Sequence, residues 1–294
     1  MIKKISLFIA AIALLASCSI KEDRSICNFT SPVTVHVNDF SISQGEFPDT
    51  RSTAIGDYNS LKAITLAFYK ADGTESFKET QFKADESTYT TFGKFSTTLP
   101  MGTFTMVVLG YYQGSDPHPI TLTSPTSAAF TLDAARETFA ATQQFTIGSN
   151  EPVNLTATLD RIISRLTVKS TDGRTANVNA VRATFSGGSK AFNPISGLST
   201  DDDGLVNVVY PTSSVGATST MSNFIFLSTD EQTMDITIEP LDESENVLFT
   251  KLVHDIPLKR NRVTTLTGAL YSDATSAGSF LLNTDWLDGI EVGF

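Results

Sequence analysis

From about residue 30 to its end, the chain is built of short runs in which apolar and polar residues alternate, separated by turn residues. A period of two puts successive side chains on opposite faces of a strand, so the pattern predicts an all-β protein. Val33, Val35 and Val37 share one face of a first strand, with Thr34, His36 and Asn38 on the other. Ile64, Leu66 and Phe68 line the next, and Ala71-Asp72-Gly73 turns the chain back towards Phe77 and Phe82. Phe95, Thr97 and Leu99 lead to a Pro100-Met101-Gly102 turn. Phe104, Met106 and Val108 follow, with Val107, Leu109 and Tyr111 on the opposite face. A strand apolar on both faces belongs in the middle of a structure. Residues 112–129, rich in Pro, Ser and Thr, read as a loop, and 130–147 as at least one more strand.

Ile147-Gly148-Ser149-Asn150-Glu151-Pro152 is a turn-rich link between two runs that each look complete, and reads as a domain boundary. Beyond it Leu155, Ala157 and Leu159 alternate. The stretch 159–168, with Ile162, Ile163, Leu166 and Val168, fits helix or strand, and its β-branched content favours strand. Further strands are expected at 178–185, 205–210, 223–227, 234–239, 247–253, 262–271 and 280–282. The expectation is two tandem antiparallel β-sandwich domains, 31–150 and 151–294, with no sequence repeat between the halves.

The first 17 residues break the pattern. Lys3 and Lys4 precede an apolar run from Ile5 to Ala16, the layout of a secretory signal peptide. The run is too short for a membrane span, which needs roughly 20 apolar residues. Leu15-Ala16-Ser17-Cys18 resembles the bacterial lipobox, in which Cys18 carries diacylglycerol and becomes the mature N-terminus; an ordinary signal peptide with an incidental cysteine is the alternative. Residues 18–30 would then be a lipidated tether. Acyl chains contribute about 0.8 kcal/mol per buried CH₂, and two or more anchor stably. Lipidation consumes the thiol of Cys18, so it cannot pair with Cys27, which stays free or joins another chain. Lys21-Glu22-Asp23 resembles the signal that exports Bacteroidota lipoproteins to the outer surface of the outer membrane, although any solvated tether contains such charges.

Charge and chemistry narrow the function. Removing Lys3 and Lys4 with the leader takes the formal charge from −11 to −13, which disfavours phosphate contacts and so nucleic acid. With 40% hydrophobic residues and 20 Phe, the chain can build real cores. The three histidines, His36, His118 and His254, stand apart from one another and from Cys or carboxylates at ligand spacing, so no metal or cofactor is expected. No nucleophile elbow, phosphate-cradling loop or zinc-protease motif occurs, and no catalytic residue is assigned. Asp201-Asp202-Asp203-Gly204 could present oxygens to calcium but lacks the later Glu of a calcium loop, and a solvated turn is the simpler reading. Trp286 could stack on a sugar or simply pack.

Four segments, in order behind the lipobox, resemble the lipoprotein fimbrillins of Bacteroidota, the family of FimA-type shaft pilins, tip subunits and FimB-type anchors. They are Thr50-Arg51-Ser52 with Ser60-Leu61-Lys62-Ala63-Ile64-Thr65-Leu66-Ala67-Phe68-Tyr69, then Leu159-Asp160-Arg161-Ile162-Ile163-Ser164-Arg165-Leu166-Thr167-Val168, then Ile256-Pro257-Leu258-Lys259-Arg260-Asn261-Arg262-Val263-Thr264-Thr265-Leu266-Thr267-Gly268, and finally Phe280 to Trp286. The resemblance implies two transthyretin-like sandwiches and a structural, non-enzymatic subunit of surface fimbriae that support adhesion or biofilm formation. In shaft subunits of that family an arginine-specific protease removes the lipidated segment with the first strand, and another subunit's C-terminal strand fills the vacated groove. Arg51, followed by Ser52, is the matching position, with Arg24 as another arginine available in the tether. An anchor subunit would keep its lipid and stay uncut.

The residues allow that mechanism. The apolar face of Val33, Val35 and Val37 lies upstream of Arg51, and losing it would bare two strand edges and a furrow that strand addition can close. Leu281, Leu287, Ile290, Val292 and Phe294 are candidate groove-fillers, each contributing roughly 1.5–3 kcal/mol when fully buried. Partners would be other fimbrial subunits, the protease and, before maturation, the outer membrane. A surface glycan-binding lipoprotein is the competing reading; it predicts exposed aromatics on one open face, with Trp286 and some of Tyr89, Tyr111 and Tyr112 as the candidates.

Overall fold

A computed structural model describes residues 29–41, 60–88, 91–112, 119–131, 134–272 and 281–283. The first lobe comprises β1 (Thr30–Ser41), β2 (Ala63–Lys70), β3 (Glu75–Phe82), β4 (Lys94–Pro100), β5 (Gly102–Tyr111), β6 (Ile120–Ser124), β7 (Ser127–Phe130), β8 (Thr138–Ile147) and β9 (Val153–Arg161). The second comprises β10 (Ser164–Ser170), β11 (Ala180–Phe185), β12 (Ala191–Phe192), β13 (Leu205–Val209), β14 (Thr220–Ile225), β15 (Glu231–Leu241), β16 (Lys251–Lys259), β17 (Val263–Gly268) and β18 (Leu281–Asn283). The protein is all-β, as its alternation predicts.

In the first lobe one seven-stranded sheet, ordered β3-β2-β5-β8-β9-β1-β4, folds over on itself. Its bend lies at β8 and β9, which pair only at Phe139↔Arg161 and Ala140↔Asp160. Val33, Val35, Phe95, Leu99, Leu155 and Leu159 from one half thereby meet Ile64, Leu66, Phe68, Phe104, Met106 and Val108 from the other in a single core. The second lobe packs sheet β14-β10-β17-β18 against sheet β13-β11-β15-β16 around Leu166, Val168, Phe185, Ile236, Ile238 and Leu266.

The two lobes repeat one topology. The first strand of each runs parallel to its last long strand, β1 beside β9 and β10 beside β17, and antiparallel to one other, β4 or β14. The facing sheets correspond as β3-β2-β5-β8 and β13-β11-β15-β16. The pairing is antiparallel as expected, except for one parallel pair in each lobe. A parallel pair needs a long crossover, and here the strands of the facing sheet supply it.

Other differences from the sequence reading are local. Residues 120–129, expected as loop, form with Phe130 the β6–β7 hairpin, because Leu122, Ala128 and Phe130 bury against the outer face of β2 and β5. The link at 147–152 is a turn between β8 and β9 of one lobe, and the chain crosses to the other at Ile162–Ile163, both buried. The ambiguous 159–168 is strand, divided at that crossing into the end of β9 and β10. The strand expected at 247–253 starts later and runs from Lys251 to Lys259. β5 is buried on both faces as predicted, and so is β2, whose Ala63, Ala67 and Tyr69 lie in the third apolar cluster.

That cluster joins the lobes. The outer face of β2 and β5, with Val107, Leu109 and Tyr111, meets Phe192 and Phe226 of the second lobe. Phe192 and Phe226 stack with centroids 4.2 Å apart, and β12 extends the β6–β7 hairpin through Phe192↔Ala128 and Ala191↔Ala129.

Candidate functional site: the slot of the first strand

β1 starts the described chain yet lies inside a sheet. It pairs antiparallel with β4 from Thr30↔Pro100 to His36↔Lys94, and parallel with β9 from Val33↔Val153 to Ser41↔Asp160, with a bulge between Val37 and Asp39. Strand order makes β4 an edge whose partner is β1 alone among the described residues. Period-two alternation sends Val33, Val35 and Val37 into the core, at 1%, 1% and 5% exposure, while Pro32 is exposed and Thr34 and His36 are half-buried. Ser31 is fully buried, and its hydroxyl donates to the carbonyl of Glu151 in the β8–β9 turn. The Val37 N–H donates to the Gly93 carbonyl at 3.0 Å.

Burying the three valines contributes roughly 4–9 kcal/mol, a large share of the about 5–15 kcal/mol that holds a domain together. Each backbone bond in the two ladders adds about 0.5–1.5 kcal/mol. Without β1, β4 would keep only its core contacts through Phe95 and Leu99 and the amide of Gln81, which donates to the Lys94 carbonyl (2.9 Å) and accepts from the Gly93 N–H (2.8 Å). β1 is therefore held by two ladders over an apolar floor.

Two of the family-like segments meet beside it. Arg161, at the end of β9 and nearly buried, donates from Nε to Glu137 (2.9 Å) and from Nη1 to the Asn261 side-chain oxygen (3.1 Å), with its guanidinium 4.9 Å from the Phe139 ring centre. Asn261 has φ of 57°, a left-handed conformation that Asn tolerates, and its N–H donates to the Ile163 carbonyl at 3.0 Å. Leu159-Asp160-Arg161 and Lys259-Arg260-Asn261 thus form one joint at the crossing. Sequence reasoning noted both segments but not their contact; an Arg beside apolar β-branched residues was the only available signal.

Other candidates fare differently. Cys18, Lys21, Glu22, Asp23, Cys27, Arg51, Ser52, Tyr89, His118, Trp286, Leu287, Ile290, Val292 and Phe294 lie outside the described residues. Leu281 begins β18, whose backbone pairs with β17 at Thr267↔Leu281. Tyr111, wanted on an open glycan-binding face, is instead buried at 1% exposure, its hydroxyl 3.1 Å from Thr65 Oγ1, because alternation turns it into the inter-lobe cluster. Tyr112 is exposed. Asp202 serves a turn, accepting from the Gly188 N–H and from Gln232 Nε2 (2.8 Å). His254 Nδ1 sits 2.9 Å from Asp235, and the Asp255 N–H, with His254, holds the Asp235 carboxyl below the usual range. Among the described residues no group of three or more His, Cys, Asp or Glu could hold a metal ion, and no helix is long and apolar enough to cross a membrane.

Residues 30–278 match the sequence model of a family of unknown function, DUF6562. No curated protein matches the sequence. Among solved structures, one described as a putative adhesin from Bacteroides ovatus is similar with a TM-score of 0.52 and 11% identity, over 89% of this chain and 96% of its own. One described as putative polysaccharide binding proteins (DUF1812) from Bacteroides thetaiotaomicron has a TM-score of 0.50 and 11% identity, over 89% and 99%. The fimbrial anchor protein Mfa2 from Porphyromonas gingivalis has a TM-score of 0.47 and 13% identity, over 86% and 95%. At such identities the first two establish a shared fold.

Proposed function

The chain belongs to the DUF6562 family, and from that premise we propose that it is a structural subunit of surface fimbriae, joined to other subunits by donated strands. The observation that carries this reading is β1: the strand that opens the described chain, wedged between β4 and β9, with its apolar side in the core. Cleavage at Arg51 would cut the covalent link between β1 and β2. The strand would then be held by non-covalent contacts alone, and an incoming strand could restore both ladders. The fold shared with a structure described as a putative adhesin supports a role in attachment at the cell surface. Lipidation at Cys18 and export through Lys21-Glu22-Asp23 would place the precursor on the outer membrane, and an arginine-specific protease would mature it.

The glycan-binding alternative has the fold shared with the structure described as putative polysaccharide binding proteins, but loses Tyr111 from its platform. N-terminal sequencing of protein taken from the cell surface tests the reading. A start at Ser52, with ladders in unboiled SDS samples, is the expected result. A start only at lipidated Cys18 would leave β1 in place and make the protein an uncut anchor or another lipoprotein.

A further inference from the structure

The repeated topology exposes a position that is filled in the second lobe and has no backbone partner among the described residues of the first. In the second lobe β17 is flanked on both sides, by β10 in parallel and by β18 antiparallel at Thr265↔Asn283, Leu266↔Leu282 and Thr267↔Leu281. Its counterpart β9 has β1 on one side. On the other, β8 touches only its end, at Asp160 and Arg161. From Ala141 and Leu159 the two strands diverge towards their turn, and among the described residues no backbone pairs with that side of 153–159. A cleft of about 270 Å³ opens there, lined by Thr142, Gln143, Thr156, Ala157 and Thr158 and walled at one end by residues 194–197 of the second lobe, with Met106 of the core also on its wall.

The reason for the difference is the chain path. β18 belongs to chain that follows β17, whereas β9 runs through Ile162–Ile163 straight into β10, so the segment that directly follows β9 is taken up by the other lobe. A bare edge of this kind invites an added strand.

We propose that the open side of β9 is a second strand-accepting edge, and that it takes residues 284–294 of a second copy, antiparallel to β9 as β18 is to β17. This segment ends Ile290-Glu291-Val292-Gly293-Phe294, with apolar residues at every second position, the pattern of a strand with one buried face. At ~3.3 Å per residue it is long enough to cover 153–159. It carries Asp285, Asp288 and Glu291, and the cleft opposes them with a single acid, Asp160, beside Arg260. The edge exists with β1 in place, so it is independent of cleavage at Arg51 and of the fimbrial reading.

The test uses residues 18–294 with Cys18→Ser and Cys27→Ser to avoid lipid and thiol cross-links, and Arg51→Ala to keep β1 attached. A synthetic peptide of residues 284–294 is added at millimolar concentration and amide exchange is followed. Exchange across 153–159 should slow by about tenfold or more, with 94–100 unchanged. Thr156→Glu with Thr158→Glu places like charge on two exposed positions and should abolish the slowing without shifting Tm. No slowing at 153–159, or slowing only at 94–100 through entry into the β1 slot, overturns the proposal. So does an edge already protected in dilute monomer and released on deleting 284–294, which would place the tail in cis.

Discussion

The two lobes use the same strand order with opposite consequences for the first strand. In the second lobe β10 is parallel to β17 and antiparallel to β14, and is held at its N-terminal end by the crossing Ile162–Ile163. Removing it would sever the molecule. In the first lobe β1 occupies the equivalent place, but it opens the described part of the chain, and its described hold on the lobe is two ladders, Ser31 and three buried valines. The two opening strands differ in their position along the chain rather than in packing, since Val33 and Val35 are as buried as Leu166 and Val168.

Breaking the comparison at its strongest point means deleting 30–41. The loss should reach the roughly 4–9 kcal/mol of the valines or more, enough to unfold the first lobe. Urea unfolding followed by exchange of 94–100 and 153–159 should show that lobe open, and adding a 30–41 peptide should restore it. If the deleted chain keeps a native first lobe, the slot is not an acceptor that requires filling.

The joint is next in magnitude. Arg161→Met breaks the buried Arg161–Glu137 ion pair while the carboxylate stays buried, which should cost about 3–5 kcal/mol. Adding Glu137→Leu should recover most of that in thermal or urea denaturation, because the pair's own attraction is offset by its desolvation. An equal loss in the double variant would mean that the contacts to Asn261 and Phe139, not the ion pair, hold the joint.

The mildest change sharpens the contrast. Val35→Thr and Val168→Thr each bury a hydroxyl, and each should cost about 1–3 kcal/mol in urea unfolding. In protein cut at Arg51, only Val35→Thr should speed the release of β1, followed by displacement of a labelled 30–41 segment. Equal release rates would show that β1 leaves only when the whole lobe unfolds.

Much of the first lobe was legible because alternation is a local property. Val33 to Val37, Ile64 to Phe68 and the two-faced β5 could be assigned to strands, and their buried faces to a core, from neighbouring residues alone. The β6–β7 hairpin was hidden because a Pro-Thr turn and short arms broke the alternation before it could repeat. The Arg161–Asn261 contact joins residues a hundred positions apart, a separation at which no periodicity speaks.

What the sequence determined by itself was the class of structure, the inward face of each long strand and the place of β1 ahead of Arg51, since side-chain polarity and chain order are written residue by residue. Tertiary structure alone decided that β1 sits between β4 and β9, that the lobes share a topology without sharing a sequence, and that one side of β9 has no backbone partner over 153–159 among the described residues. Backbone hydrogen bonds carry no side-chain signature, so the choice of strand partner is made only when distant segments pack.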